Sequence, residues 1–512
     1  MDAHRLVDPS RIQVKSFNPP FSSFRWVDKN YPDNYAIRRL FSLGRSHSAQ
    51  TLMVEDIQPS GMIREENEEI KNYVVDHSME GLVRLSFWGT EFKRPNASDC
   101  RDENCIGYAI LKHDKAPSRN YDEWHVFEAV FRKYDHPHNC VADPMRIRLK
   151  LGGFPIAVDG VIYAQQNQLN KACAQVALRS VISKILKRDI PYTEINGFAR
   201  QALAGTFDPA RGLNAKQIQA VLGGFGIRFI DFDYSQHPYY QRRQNPYQKY
   251  IYAGIESGNS ALLGFSLRGP AITYDTCHII PFYGHTFNQD TWAPDAEISY
   301  FRVGERLRYV SSINWTSSFL GHDDNFGPNF CIPRLYISPK QVLYVAELLK
   351  PEFMYSGAQA EARSLRFLYT AIQRQHSPNI WWQRLAFCTE PQVQRVVLRA
   401  LSINRDTYIQ HLSTESDWEG NRERPELVKV LSSWLPKHLW VIEVSIPQLF
   451  PANERKLGEI ILDGALAINR SQDNRPHFYL ARLPTLFYFN LGKKEFLTVP
   501  SNLKSHLQVI RL

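Results

Sequence analysis

The pattern of apolar and polar positions divides the chain into three regions. In the first region, short runs of alternating apolar and polar residues predict strands that each bury one face. These runs are 81–89, 107–112, 124–131 and 146–151. The sequence therefore predicts a β-rich N-terminal domain over residues 1–151.

The second region mixes helical and strand-like patterns. Apolar positions at helical spacing predict a helix over 173–187, with further helices near 193–204 and 212–222. Asn214 is a typical N-cap for the last of these, and Gly223 and Gly224 are typical of its end. Strands are predicted at 225–232, 250–256, 261–267 and 277–292, the last as two short strands joined by a turn. Helices followed by strands indicate an α+β domain with an antiparallel sheet, placed at 152–325.

The third region, 326–512, is predicted to be a mixed α/β domain. Helical patterns cover 337–349, 360–375 and 390–403, and strand patterns cover 440–446, 458–463, 477–482 and 486–491. The polar segment 413–424 is predicted to be a linker or an exposed loop. The aromatic runs 381–382 and 487–489 are interpreted as core packing rather than as a ligand groove.

Composition narrows the class of protein. A chain of 512 residues exceeds what one core accommodates, and 43% hydrophobic with 12% aromatic residues favours folded domains over disorder. The net charge of +9 is spread along the chain without a nucleic-acid-binding motif, so nucleic acid is not the expected partner. The seven cysteines do not form the pattern of a disulfide framework. With no signal peptide or apolar span in the sequence, the predicted location is cytoplasmic and away from membranes.

The most informative segment is the glutamine-rich run that ends at Cys173. A thiol at the start of a helix lies at the positive end of the helix dipole, which favours the thiolate. A glutamine just upstream could donate an amide N–H to an oxyanion. His278, at the start of a predicted strand, is a suitable base for such a cysteine, and Asp290 or Asp295 on the return strand could orient its imidazole.

With these residues assembled, the region from Phe154 to Glu297 resembles the papain-like cysteine peptidases. Within that family it looks most similar to the double-glycine (bacteriocin-processing) peptidase-like branch. Four segments carry the resemblance: 165–178 around Cys173, 212–226, 255–263, and 278–284 followed by Asp290. The resemblance implies a papain-like domain in which Cys173 is the nucleophile, His278 is the general base and acid, an aspartate orients the histidine, and a glutamine serves the oxyanion hole.

The chain departs from the family pattern at two positions. Ala174 follows the cysteine where glycine is common, and Asn167 stands where the glutamine is usual. Gln166 and Gln168 flank Asn167, and Gln166 is preferred because the pair Gln165–Gln166 follows the apolar run 162–164 directly. For the third member, a regular hairpin would place Asp295 opposite His278 and a longer loop would favour Asp290; Asp290 is preferred.

The sequence thus predicts a cysteine peptidase that hydrolyses a peptide or isopeptide bond in a protein or peptide substrate, with no cofactor and no metal. The alternatives are a catalytically silent papain-like binding module and an acyltransferase that uses the same Cys–His–Asp set. Two other residues near the motif are given structural roles. Cys277 is expected in the core, and His285 is expected in the turn beside Gly284, either exposed or hydrogen-bonded locally.

A zinc site is a separate alternative in the N-terminal region. Its candidate ligands are Cys100, Cys105, His136, His138 and Cys140. Zinc ribbons more often space each cysteine pair by two residues, so free thiols and polar loop residues are the preferred interpretation.

Overall fold

The structure is a computed structural model with both helices and largely antiparallel sheets, as the α+β prediction requires. It describes residues 12–133, 139–141, 143–169, 172–202, 212–237, 246–266, 277–287, 300–303, 307–374, 379–390, 395–450, 454–466, 478–492 and 495–510. Within these ranges, no helix combines the length and apolar character that crossing a membrane requires.

The first region contains an antiparallel sheet whose strands follow chain order. They are β1 (Ile12–Ser16), β2 (Thr51–Asp56), β3 (Ser78–Trp88), β4 (Cys105–Ala116) and β5 (Tyr121–Phe131). Helices α1 (Ser23–Asn30) and α2 (Tyr35–Ser46) cover one face of the sheet. The other face packs against α3 (Gly61–Lys71) and the hairpin of β7 (Met145–Leu151) and β8 (Phe154–Gly160), while the short β6 (Asn139–Cys140) pairs elsewhere. The strands predicted in this region are confirmed, but β4 and β5 are buried on both faces along most of their length rather than on one.

The second sheet carries the predicted catalytic histidine. Its strand order is β15-β14-β11-β10-β16-β9, and β6 pairs with β11. The bounds are β9 (Arg228–Asp233), β10 (Ala261–Ser266), β11 (Cys277–Phe287), β14 (Thr316–Asp323), β15 (Gly327–Pro333) and β16 (Val342–Leu349). Helices α4 (Cys173–Leu186), α5 (Tyr192–Gln201) and α6 (Ala215–Gly224) share one core with this sheet, and α7 (Tyr247–Glu256) shares a second.

The third sheet runs in the order β12-β13-β17-β18-β20-β21-β22-β23, with β13 and β17 parallel. Its strands are β12 (Tyr300–Val303), β13 (Leu307–Ser311), β17 (Val397–Asn404), β18 (His438–Ser445), β20 (Gly458–Asp463), β21 (Phe478–Leu483), β22 (Leu486–Gly492) and β23 (Glu495–Pro500). The accompanying elements are α8 (Gly357–Arg374), α9 (Ile380–Thr389), α10 (Arg405–Thr414), α11 (Pro425–Trp434) and the small pair β19 (Arg455–Lys456) with β24 (Leu507–Gln508). Residues 381–382 and 487–489 are buried in its cores, as predicted.

Three predicted elements are wrong in type. The predicted strand 250–256 belongs to helix α7, and the predicted helices 337–349 and 390–403 contain strands β16 and β17. Strand β17 is buried along nearly its whole length, and α7 is buried on most sides. An element surrounded by core loses the polar face that reveals its period, so a short apolar run does not separate a strand from a helix.

A predicted turn is wrong, and a predicted loop is confirmed only in part. Residues 277–287 form one strand without a turn at Gly284, and a side chain at Gly284 would meet the Cys140 carbonyl oxygen of the neighbouring strand. The segment 413–424 is predicted to be a linker or an exposed loop; after α10 ends at Thr414 the chain is a loop with several exposed residues, but it is anchored rather than a free linker. The buried Asp417 carboxylate accepts hydrogen bonds from the backbone N–H groups of Asn421, Lys504 and Ser505, which fixes the segment to the C-terminal end of the described chain.

The predicted domain limits at 151 and 325 remain predictions. The sheet that holds His278 continues beyond residue 325, because β15 and β16 are two of its strands. The predicted Asn214 cap is confirmed. Its side chain accepts from the Gln217 N–H and completes a reciprocal capping box at the start of α6.

Candidate active site

Cys173 is the first residue of α4, as the sequence predicts. The N-cap residue, Ala172, makes no side-chain capping hydrogen bond, and the first turn contains no acidic residue. The first N–H groups of a helix have no partner within the helix, so this end offers both hydrogen-bond donors and the positive end of the dipole to an anion. The thiol is half-buried at that end.

His278 lies near the start of β11, a central strand of the second sheet, and only 6% of its surface is exposed. Helix α4 packs against β11, and the Cys173 thiol is within hydrogen-bonding reach of the imidazole. The Phe265 ring packs edge-on against the imidazole with centroids 5.6 Å apart. The structure therefore brings the predicted cysteine and histidine together.

Two carboxylates lie close to Nε2 of the imidazole. Asp323 Oδ2 is 3.2 Å and Asp324 Oδ1 is 3.4 Å from His278 Nε2. Asp323 is the last residue of β14, which pairs directly with β11. Its Oδ1 accepts the N–H groups of Asn325 and Phe326, so the turn after β14 fixes the carboxylate. With Nε2 facing these acids, Nδ1 is the ring nitrogen left for the thiol.

Sequence reasoning missed both of these aspartates. Asp290 and Asp295 lie outside the described residues, so their choice as the orienting acid stays a prediction. The only local signal for Asp323 and Asp324 is a polar turn, 323–327, that ends in a glycine. Recognising them as partners of His278 requires the pairing of β14 with β11, which the motif pattern does not contain.

The electrostatics of the site favour a protonated histidine. Burial alone would lower the pKa of His278, but the hydrogen bond to Asp323, the contact with Cys173 and the charge of Asp324 raise that pKa to about 11. Burial raises the pKa of Asp324 to about 6, against the opposing effect of His278 and with a further rise from Asp323. At neutral pH an imidazolium thus lies between the thiol and two carboxylates, the arrangement that stabilises a thiolate.

The glutamine segment divides into structural and candidate catalytic residues. Gln165 Oε1 accepts from the Val126 N–H and from Asn34 Nδ2, which ties it to the first region. Gln166 Nε2 donates to Asn325 Oδ1 at 3.1 Å, in the turn that also holds the aspartates. An amide nitrogen has two N–H groups, so the bond to Asn325 occupies one of the two N–H groups of Gln166.

The two neighbours of Gln166 lie in different environments. Asn167 is buried, with its Oδ1 accepting the Leu169 N–H, whereas Gln168 is exposed at a left-handed backbone position with φ +58°. A crevice beside the segment is lined by Ala172 and by Glu66 and Glu69 of α3. Both acids are already paired, Glu66 with Lys112 and Glu69 with Arg200, so the crevice carries little net negative charge.

Several expectations about nearby residues change. His285 is fully buried rather than exposed in a turn, and Cys277 is half-buried and close enough to Cys173 for their charges to interact. In the zinc alternative, Cys100 and Cys105 are buried in the core of the first region, whereas Cys140 lies on β6 beside β11. His136 and His138 lie outside the described residues.

We expect the two aspartates to affect the rate of Cys173 alkylation in different ways. We expect Asp323→Asn to slow alkylation by about tenfold at pH 7, because it weakens a charge-assisted hydrogen bond to the imidazolium. Asp324→Asn should slow it less. In the wild type the Asp324 charge is lost as pH falls through about 6, so the rate should show an inflection there that Asp324→Asn removes. The measurement is the rate of iodoacetamide reaction between pH 5 and 9. An unchanged profile in both variants would contradict the assigned roles.

Comparison with known proteins assigns the chain to no family. No protein-family model matches the chain, and no curated protein matches its sequence.

Proposed function

We propose that the protein is a cysteine hydrolase of the papain-like kind, a peptidase that cleaves a peptide or isopeptide bond in a protein substrate. One observation carries the proposal: Cys173 begins an uncapped helix within reach of a buried histidine that is itself held by two carboxylates. A buried imidazole between a thiol and an acid is the arrangement that nucleophilic cysteine catalysis requires.

The chemistry follows from the positions of these groups. The Cys173 thiolate attacks the substrate carbonyl carbon, and the carbonyl oxygen becomes an oxyanion that accepts from the Cys173 backbone N–H and the second Gln166 amide N–H. The His278 imidazolium then gives its proton to the leaving amine as the C–N bond breaks, which leaves an acyl-enzyme. Water attacks the acyl-enzyme, His278 takes the water proton, and the thiolate returns as the acid leaves.

The carboxylates support this cycle through the histidine. Asp323 bonds Nε2, so the ring presents Nδ1 to the thiol, and the charges of Asp323 and Asp324 stabilise the imidazolium. These are positioning roles, because neither carboxylate contacts the thiol. An acyltransferase would share every step up to the acyl-enzyme and differ only in accepting an amine instead of water.

The first test is the rate at which each cysteine reacts with iodoacetamide at pH 7, mapped by mass spectrometry on the full chain. We expect Cys173 to react first, at least about tenfold faster than Cys331, even though Cys331 is exposed and Cys173 is half-buried. Cys173→Ala is the control for the assigned site.

Hydrolysis is then tested with a library of peptides that carry a fluorogenic amide, comparing the wild type with Cys173→Ala. Release of fluorophore by the wild type alone supports the peptidase, and release that appears only when an amine is added indicates the acyltransferase. Slow iodoacetamide reaction shared evenly among the cysteines would contradict both enzymes and leave a binding module.

A further inference from the structure

A second thiol–imidazole–carboxylate cluster lies on the same strand as His278. Cys140 on β6 and His285 on β11 are partners across two paired antiparallel strands. Cys140, His285 and Glu256 each place one sulfur, nitrogen or oxygen atom within 4.8 Å of those of the other two residues. The proposed hydrolase does not use this cluster.

The histidine of this cluster is held as firmly as the one in the candidate active site. His285 is fully buried, and its Nε2 is 2.5 Å from Glu256 Oε1. Glu256 Oε2 accepts from Arg399 Nε at 2.7 Å. The Tyr252 ring packs against the imidazole with centroids 5.2 Å apart. The Glu256 carboxylate therefore fixes the ring, and Arg399 fixes the carboxylate.

These contacts favour the charged form of the imidazole. Burial would lower the pKa of His285, but the Cys140 thiol and the Glu256 carboxylate raise it to about 9. An imidazolium beside a thiol stabilises the thiolate and supplies a proton to a leaving group. Cys140 is half-buried on the two-residue strand β6.

The contacts in this cluster favour a protonated imidazole over a bound metal ion. Nε2 of His285 is used in the hydrogen bond with Glu256, and the Glu256 charge is already balanced by Arg399. A zinc ion would have to displace the Nε2–Oε1 hydrogen bond before it could take either atom as a ligand. The same contacts need no rearrangement to activate the thiol.

We propose that Cys140 is a second reactive thiol of this protein and a site of oxidation by hydroperoxides. The Cys140 thiolate attacks the terminal peroxide oxygen, so an S–O bond forms and the O–O bond breaks. The sulfur is oxidised to a sulfenic acid, the peroxide is reduced, and the departing alkoxide or hydroxide takes the proton of the His285 imidazolium to leave as alcohol or water. Glu256 and Arg399 act as positioning residues.

The test treats full-length Cys173→Ala protein with hydrogen peroxide and dimedone at pH 7, which removes the candidate nucleophile from competition. Mass spectrometry then gives the rate of sulfenic acid formation at each remaining cysteine. We expect Cys140 to be modified about tenfold faster than Cys331, although Cys331 is the more exposed thiol. This comparison is made within one molecule, so it does not depend on the folding of any further variant.

His285→Gln in the same background provides the matched variant. It should bring the Cys140 rate down to about that of Cys331 and leave the Cys331 rate unchanged. Equal rates at Cys140 and Cys331 before that substitution would overturn the proposal. So would a zinc ion that copurifies with the protein and protects Cys140 until a chelator removes it. Neither result bears on Cys173, so failure here is distinct from failure of the proposed hydrolase.

Discussion

Replacing His278 with alanine is expected to slow the reaction of Cys173 with iodoacetamide by about 100-fold at pH 7, the lower end of what a positioned acid–base group contributes. The reason is the raised pKa of His278, which keeps the ring protonated beside the thiol throughout the neutral range. Because this pKa is raised to about 11, the imidazolium persists on going from pH 9 to pH 6. The wild-type rate should therefore fall little across that interval, whereas the rate of the variant should fall steeply.

The matched control is His113→Ala. His113 also pairs with a carboxylate, Asp122 at 2.7 Å, but it lies on β4 in the first sheet. This substitution should leave both the Cys173 rate and its pH profile unchanged. If His278→Ala and His113→Ala behave alike, the thiol does not depend on His278 and the proposed hydrolase is wrong.

Arg399→Met is expected to lower the free energy of unfolding by about 3–5 kcal/mol, the usual cost of removing one partner from a buried ion pair. Arg399 on β17 bonds Glu256 on α7 and Glu443 on β18, and all three side chains are buried. Burial raises the pKa of Glu256, but Arg399 and His285 outweigh burial and hold it below its ordinary value. Without Arg399, the carboxylate would be charged and poorly compensated in the core.

The pH dependence of this stability loss tests whether it arises from the charge of Glu256. A carboxyl group with a lowered pKa contributes stability above its ordinary pKa, and this contribution is lost as pH falls through the lowered value. The difference in unfolding midpoint between wild type and Arg399→Met should therefore be largest at neutral pH and shrink toward pH 4, where Glu256, which keeps its contact with His285 but lacks Arg399, takes up a proton. Calorimetry of the wild type and the variant at pH 7 and pH 4.5 measures the difference in unfolding midpoint at each pH. Arg146→Met is the control, since Arg146 pairs with Asp102 and Asp159 at the surface, and it should cost about 0–1 kcal/mol. Equal shifts for the two variants would contradict the prediction.

The sequence predicted those parts of the candidate site that depend on local pattern. Cys173 lies where the apolar period of α4 begins, and His278 lies where a run of strand-forming residues begins. The accompanying acids depend on a contact between distant strands. Asp323 reaches His278 only because β14 pairs with β11, and no spacing in the motif contains that information.

The same distinction between local pattern and contacts of distant residues explains which helices and strands could be predicted. Strands β3, β4 and β5 were predictable because each has recognisable strand periodicity and residues of high strand propensity, even where both faces are largely buried. Helix α7 was not, because its polar residues Lys249, Tyr252 and Glu256 face other parts of the protein instead of solvent. They bond Tyr309 and Arg399 of the third sheet and Ser312 of the turn after β13. Buried polar side chains at helical spacing are easily mistaken for the alternation of a strand. His285 was missed for a related reason, since its neighbour Gly284 signals a turn yet serves a close approach between strands.

The path of the chain between β13 and β14 limits how the candidate active site could be transplanted. Strand β13 belongs to the third sheet through its pairing with β17, and after the short turn Ser312–Trp315 the chain enters the second sheet as β14, which ends at Asp323. A graft of 152–325 alone would carry Cys173, His278 and both aspartates but would lack β15, β16 and the partner strand of β13. A graft that preserves the candidate site would therefore have to be much longer than the segment that bears its motifs, because strands from the C-terminal third of the protein complete the sheets around Asp323 and Asp324.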